Sequence, residues 1–130
     1  TRSREDYLRG LYILEEEKGA IKSVDLAKYL KVSKPSVSEM MKILDKQGLV
    51  EYKRYKDLKF TRKGKKVAEK LTKKHRIIES FLKNILKLDS KHIHDEAHRL
   101  EHTFSDESIK KIQVLLGNPK LDPHGKPIPQ

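Results

Sequence analysis

Between Ser23 and Phe60 the chain carries a pattern that few folds accommodate. Ser23 caps a short helical stretch with Leu26, Ala27 and Leu30 on one side. Lys31-Val-Ser33 is a tight turn. A second helical stretch runs through Pro35 to Gln47, with Val37, Met40, Met41 and Leu44 at i, i+3, i+4, i+7 and Gly48 as its stop. Leu49-Val-Glu-Tyr52 and Leu58-Lys-Phe60 then alternate in period 2 around Lys53–Asp57. That spacing predicts a short β-hairpin, with Lys53, Arg54 and Lys56 at its tip between Tyr52 and Tyr55. Two helices joined by a three- or four-residue turn and followed by a basic hairpin have the order of a winged helix-turn-helix.

The flanking sequence reads as helix. Ser3-Arg-Glu-Asp6 has the spacing of a capping box and opens a helix with Leu8, Leu11, Tyr12 and Ile13 on its buried side and Gly19 beyond its end. Thr61 caps a long helix from Arg62 to about Leu86. It is basic at Arg62, Lys63, Lys65 and Lys66, then apolar at Ile77, Ile78, Phe81, Leu82, Ile85 and Leu86. Leu88-Asp-Ser90 begins a fifth helix and Ser105-Asp-Glu a sixth, with Ile109, Ile112, Leu115 and Leu116 apolar and Gly117 at its end. The tail from Asn118 to Gln130 holds four of the five prolines and reads as an extended linker.

Charge divides the chain. Residues 1–74 carry 21 Lys/Arg against 11 Asp/Glu, a balance of +10 out of a total of +11. All six His (75, 92, 94, 98, 102, 124) follow. A polyanion is therefore expected to meet the first part only. There is no Cys, which excludes disulfides and thiolate metal sites. No run is apolar enough to span a bilayer and no signal peptide opens the chain, so a cytoplasmic protein without membrane contact is expected.

The fifth helix carries His94-Asp-Glu-Ala-His98-Arg-Leu-Glu101-His102. At 3.6 residues per turn His94, His98 and Glu101 fall close to one line, and His102 can converge with His98 and Glu101. Ile93, Ala97, Leu100 and Phe104 make a separate core-facing stripe. Neutral imidazole with carboxylate is the ligand set for a borderline first-row divalent metal. His75 and Glu79 form another i, i+4 pair, a spacing that surface contacts also use.

On the second helix of the helix-turn-helix the outward residues are Ser33, Lys34, Ser36, Ser38, Glu39 and Lys42. Lys and Ser mostly contact phosphates. Glu39 would be repelled by phosphate, so it either accepts from a cytosine amino group in the major groove or pairs with Lys42.

Taken together the chain resembles the diphtheria toxin repressor family of iron- and manganese-dependent transcriptional regulators. The resemblance rests on Asp6-Tyr-Leu-Arg-Gly-Leu-Tyr-Ile-Leu-Glu-Glu-Glu, Ser33-Lys-Pro-Ser-Val-Ser-Glu39, Lys74-His-Arg76 with Glu79, the His94–His102 stretch and Pro123-His-Gly-Lys-Pro-Ile-Pro129, in that order. It implies a mainly α fold: a winged helix-turn-helix DNA-binding domain over 1–72, a helical dimerisation and metal-sensing domain over 73–119, and 120–130 as a Pro-rich linker towards a third, SH3-like domain that this sequence lacks. It further implies one metal site of His75, Glu79 and His94, and another of Asp6, His98, Glu101 and His102. A metal on the latter would fix the first helix and, through it, the recognition helix. DNA contacts would come from Ser33, Lys34, Pro35, Ser36, Ser38, Glu39 and Lys42, with Lys53, Arg54 and Lys56 of the wing. The sequence departs from the family pattern at His98, where the iron branch has Cys and the manganese branch Glu. Asp6 is similar to the manganese branch, whereas Pro-Ile-Pro is similar to the iron branch. Asp122 and Lys126 replace the expected anion-binding partners.

The expectation is a homodimer that binds Mn²⁺ or Fe²⁺, with Zn²⁺, Co²⁺ or Ni²⁺ able to substitute in vitro, and then binds palindromic double-stranded operator DNA. The alternative is a metal-independent winged-helix protein whose His cluster is structural. A metalloenzyme is disfavoured, since a Gly-rich phosphate loop and a pocket for a small organic substrate are not evident, and the basic half would have no role.

Overall fold

The structure, a computed structural model, describes residues 3–130. Its elements are α1 (Arg4–Lys18), α2 (Ser23–Leu30), α3 (Lys34–Lys46), β1 (Val50–Glu51), β2 (Lys59–Phe60), α4 (Arg62–Asn84), α5 (Ser90–Glu101) and α6 (Asp106–Leu115). The fold is mainly α, a winged helix-turn-helix followed by a helical unit. The chain divides after Leu71 into two compact units, and α4 contributes residues to both.

In the first unit both arms of the expected capping box form: Asp6 N donates to Ser3 Oγ and Ser3 N donates to Asp6 Oδ2, each at 3.2 Å. Ser33 caps α3, with Pro35 in its first turn, where a missing N–H costs nothing. The core joins Leu8, Leu11, Leu26, Leu30, Val37, Met41 and Leu44, each buried Leu contributing roughly 1.5–3 kcal/mol. Tyr7 and Leu14 are also buried, while the expected Tyr12 and Ile13 are half-buried, so the buried side of α1 is rotated slightly from its anticipated position.

The hairpin pairs Val50 with Phe60 and Glu51 with Lys59, antiparallel. Ile21 adds a bridge to Leu58, whose N–H donates to Ile21 O at 2.8 Å, and both side chains are buried. The base of the wing is thereby anchored to the segment that leads into α2. Thr61 caps α4 through Gly64 N at 3.0 Å. Gly64 permits a close approach, because a Cβ there would stand 1.7 Å from Leu49 O.

In the second unit Ile77, Ile78 and Leu82 of α4 pack with Ile93 and Ala97 of α5 and Ile109 of α6. Leu100 and Phe104 lie partly buried against them, which fits the expected stripe. α5 ends at Glu101 with His102 as its C-cap, so His102 stands at the helix terminus.

The tail differs from the extended linker expected over 120–130. Ile128 is buried and its N–H donates to Lys120 O at 2.8 Å, Asp122 N donates to Lys126 O at 2.8 Å, and Leu121 bridges Pro127. Two forces fold it back. Ile128 fills apolar core, and the buried Arg76 guanidinium donates from Nη1 to Pro127 O at 2.6 Å. Among the described residues no helix is long and apolar enough to cross a membrane.

Candidate metal centre and nucleic-acid interface

Glu79, buried on α4, is the hub of the first cluster. His75 Nε2 stands 3.3 Å from its Oε1, while His94 Nδ1 and His124 Nδ1 each stand 3.9 Å from its Oε2. His75, Glu79 and His94 offer ligand atoms all within 4.8 Å of one another. Glu79, Asp122 and His124 do the same. Burial pushes the Glu79 carboxyl up, but hydrogen bonds from His75 and His94 and the charges of His75 and His124 outweigh it and hold it at about 2. A buried carboxylate whose partners are all imidazoles suits a divalent cation, which takes carboxylate and imidazole donors together.

Asp122 and His124 are the residues that sequence reasoning missed as candidate ligands. They are brought in by the folded tail. Asp122 Oδ1 accepts from His124 N at 2.9 Å and Lys126 N at 2.8 Å, and its Oδ2 stands 3.8 Å from Arg76 Nε. These bonds leave Asp122 as the brace of the loop and His124 as its freer donor.

The second cluster comes from the end of α5. His98, Glu101 and His102 offer atoms within 4.8 Å of one another, and the His98 and His102 rings meet edge-on at 5.1 Å. Glu101 is buried. Its Oε1 is 3.8 Å from His102 Nε2, and its Oε2 is 2.8 Å from His75 Nδ1. His75 is thus held between two carboxylates. With a proton on Nδ1 for Glu101, either a second proton or a cation must stand between Nε2 and Glu79. That is the arrangement in which a metal-bound imidazole is oriented by an outer carboxylate.

Asp6, on α1 of the first unit, is buried and already engaged: its Oδ2 serves the Ser3 cap and its Oδ1 is 3.7 Å from Arg9 Nη2.

On α3 of the first unit Lys34, Pro35, Glu39 and Lys42 are exposed, and Ser36 and Ser38 half-exposed. The hydroxyls of Ser33 and Ser36 share a hydrogen bond of 2.9 Å, and Ser33 Oγ also accepts from Ser36 N, so these two serines are partly committed to the cap. Among the described residues Glu39 forms no ion pair, Lys42 included. That leaves its carboxylate available to a base edge. Lys53, Arg54 and Lys56 are exposed on the wing.

Residues 1–58 match the family model described as the iron dependent repressor N-terminal DNA binding domain, and residues 61–130 match the iron dependent repressor metal binding and dimerisation domain. The HTH-type transcriptional regulator MntR of Shouchella clausii (strain KSM-K16) is 39% identical over 116 residues, covering 89% of this chain and 80% of MntR. A solved manganese regulator, SloR, is 42% identical with a TM-score of 0.86 over 100% of this chain and 60% of its own. A manganese-dependent transcriptional repressor solved in complex with manganese is 35% identical with a TM-score of 0.89, over 98% and 59%. This chain thus spans about three fifths of the length of those solved relatives. It belongs to the iron-dependent repressor family.

Proposed function

We infer that this protein is a metal-dependent transcriptional repressor. Mn²⁺ or Fe²⁺ binding fixes a homodimer in the form that binds palindromic operator DNA, and the genes controlled are those of metal uptake. The work is done in the cytoplasm, where that DNA is. The observation that carries the reading is the convergence of His98, Glu101 and His102 in a chain whose other half is a basic winged helix.

His75, Glu79 and His94 hold one metal, with His124 as a further donor. His98, Glu101 and His102 hold the other, joined by Asp6 of α1. Support for Asp6 is the family resemblance and its burial as an acidic group. When bound, the metal supplies a multivalent positive charge that carboxylates and imidazoles neutralise together. The residues of the chain do the rest: α1 is held by its Ser3 cap and its acid, and α3 presents Ser38, Glu39 and Lys42 to the groove. Oxygen and nitrogen donors without sulfur accept Mn²⁺ and Fe²⁺, although intrinsic affinity rises towards Cu²⁺. Tightness in vitro therefore does not identify the physiological ion. Mn²⁺ is favoured by the manganese named for the solved relatives.

The metal-independent alternative is not favoured, because basic charge alone gives the buried Glu79 and Glu101 carboxylates no reason to be ringed by imidazoles. Replacing Glu101 with Gln and His102 with Ala is expected to abolish metal-stimulated DNA binding with helix content unchanged by circular dichroism; undiminished stimulation contradicts the assignment. Asp6→Asn separates ligand from cap, since the amide oxygen still accepts from Ser3 N while the charge is gone. Loss of metal affinity with unchanged melting supports the ligand role, and loss of melting temperature alone supports the cap.

A further inference from the structure

Residues 62–74 carry seven Lys/Arg and one Asp/Glu, which is +6 of the +10 balance of residues 1–74. Residues 33–60, which hold α3 and the wing, carry seven and four, a balance of +3. Most of the basic charge therefore lies outside the elements that read DNA, on the first half of α4. Lys65 is engaged within the first unit, paired with Glu15 and set against the Tyr12 ring. Arg62, Lys63, Lys66 and Lys70 are exposed.

This row breaks two local rules. α1, α2 and α6 open with acidic residues, which the positive end of a helix favours. α4 has no acid in its first turn and places Arg62, Lys63 and Lys65 there. Arg62, Lys66 and Lys70 then follow at i, i+4, i+8, a run of like charges that destabilises a helix. A helix that keeps both defects on an exposed face points to an anion that offsets them.

The row begins at the far end of α3. Thr61 N donates to Leu49 O at 3.1 Å and Thr61 Oγ1 to Gly48 O at 2.6 Å, which fixes the start of α4 just past Gln47, the C-cap of α3. At 1.5 Å per residue that end stands about 20 Å along the helix from Lys34. Beside it is a cleft of about 590 Å³ between the first turn of α1, the end of α3 and α4. Arg4 and Lys63 line the cleft, with Glu5 as its acid, and Arg4 Nη1 donates to Gln47 Oε1 at 2.9 Å. Its Leu8 and Leu49 are already buried and its Val67 and Leu71 half-buried, so an acidic amphipathic helix finds few anchors there. Phosphates need only the charges.

We propose that Arg62, Lys63, Lys66 and Lys70, with Arg4 across the cleft, bind the backbone of a second DNA duplex without regard to sequence, so that a repressor seated on its operator holds two duplexes together. The proposal rests on the reading that α3 and the wing bind duplex DNA. Lys and Arg meet phosphates without reading bases, and counterion release gives them affinity for any duplex.

A duplex selected from a randomised pool on the wild-type chain with Mn²⁺ is fixed to beads, the chain is loaded, and a fluorescent duplex of unrelated sequence is added. Wild type is expected to retain it, and less of it as salt rises. The triple variant Lys63→Glu, Lys66→Glu, Lys70→Glu removes both local defects of α4, so it melts no lower than wild type. It is expected to bind the selected duplex with wild-type affinity and salt slope by anisotropy, yet to retain roughly tenfold less of the second duplex. The corresponding Gln triple, which removes charge without adding repulsion, shifts retention the same way. Wild-type retention in both triples overturns the proposal, because the paired winged helices of a dimer then hold the second duplex. A salt slope on the selected duplex lowered by about three also overturns it, because the row then touches the operator itself. A wild type that binds the selected duplex and captures no other overturns the proposal and leaves the DNA-binding reading intact. A wild type that selects no duplex overturns both.

Discussion

His75 Nδ1 donates to Glu101 Oε2 across 2.8 Å, so one hydrogen bond joins the two ligand clusters of the second unit. Glu101 is a candidate ligand in one cluster and the outer partner of an imidazole in the other. Outer-shell partners of this kind are worth 10–100-fold in metal affinity. Glu101→Gln is therefore expected to weaken both metal-binding events by about that factor, whereas His102→Ala weakens one. Isothermal titration with Mn²⁺ separates the cases, and a Glu101→Gln titration with one event at wild-type affinity would refute the shared role.

Acid sensitivity should follow the imidazoles. Glu79 is held at about 2 against an ordinary 4.5, so it stays ionised through any working range. Its ionised form contributes to stability above about pH 4.5, and that contribution is lost only as pH falls towards 2. Metal ligation by contrast requires deprotonated ligands, so Mn²⁺ affinity is expected to fall as pH falls. Titrations at stepped pH check this; affinity that held level down to pH 5 would mean that carboxylates alone bind the metal.

Gly64→Ala is expected to destabilise the first unit by about 2 kcal/mol or more, because its Cβ would meet the Leu49 carbonyl at 1.7 Å and backbone must move. Denaturant unfolding measures it. A loss below about 0.5 kcal/mol would show that the start of α4 shifts freely away from β1.

Thr72 buries a hydroxyl that has no hydrogen-bond partner among the described residues. Thr72→Val keeps the shape and removes the unsatisfied group, so it should leave stability unchanged or raise it by about 1 kcal/mol. A lower melting temperature in the variant would show that the hydroxyl is satisfied in solution.

The parts of this molecule that were legible in its sequence are those with a period. Val37, Met41 and Leu44 at helical spacing, the alternation through Val50 and Phe60, and the caps at Ser3 and Thr61 all act over a few residues, and each forms locally as the pattern dictates. The cap expected at Ser23 does not form: Lys22 is the N-cap of α2, Ser23 is its first residue, and no side chain caps it. Asp122 and His124 were not legible as ligands. They lie about twenty residues beyond His102 in a Pro-rich stretch without periodicity, and it takes the buried Ile128 and the Arg76 bond to Pro127 to fold that stretch onto α4. The link from His75 to Glu101 was equally hidden, because it depends on how α4 and α5 pack side by side rather than on spacing along either. Glu39 shows the remaining kind of gap: two roles fitted its sequence, a base contact or a pair with Lys42, and spacing along the helix does not choose between them.

The central claim is that metal and DNA binding are coupled. The most direct test is fluorescence anisotropy of the wild-type chain on DNA from its own upstream region, first with chelator and then with Mn²⁺ at fixed salt. Affinity should tighten at least tenfold, about 1.4 kcal/mol of coupling, and the DNA should tighten Mn²⁺ binding by the same factor. Affinity that responds to salt but is identical with chelator and with Mn²⁺ would contradict the account.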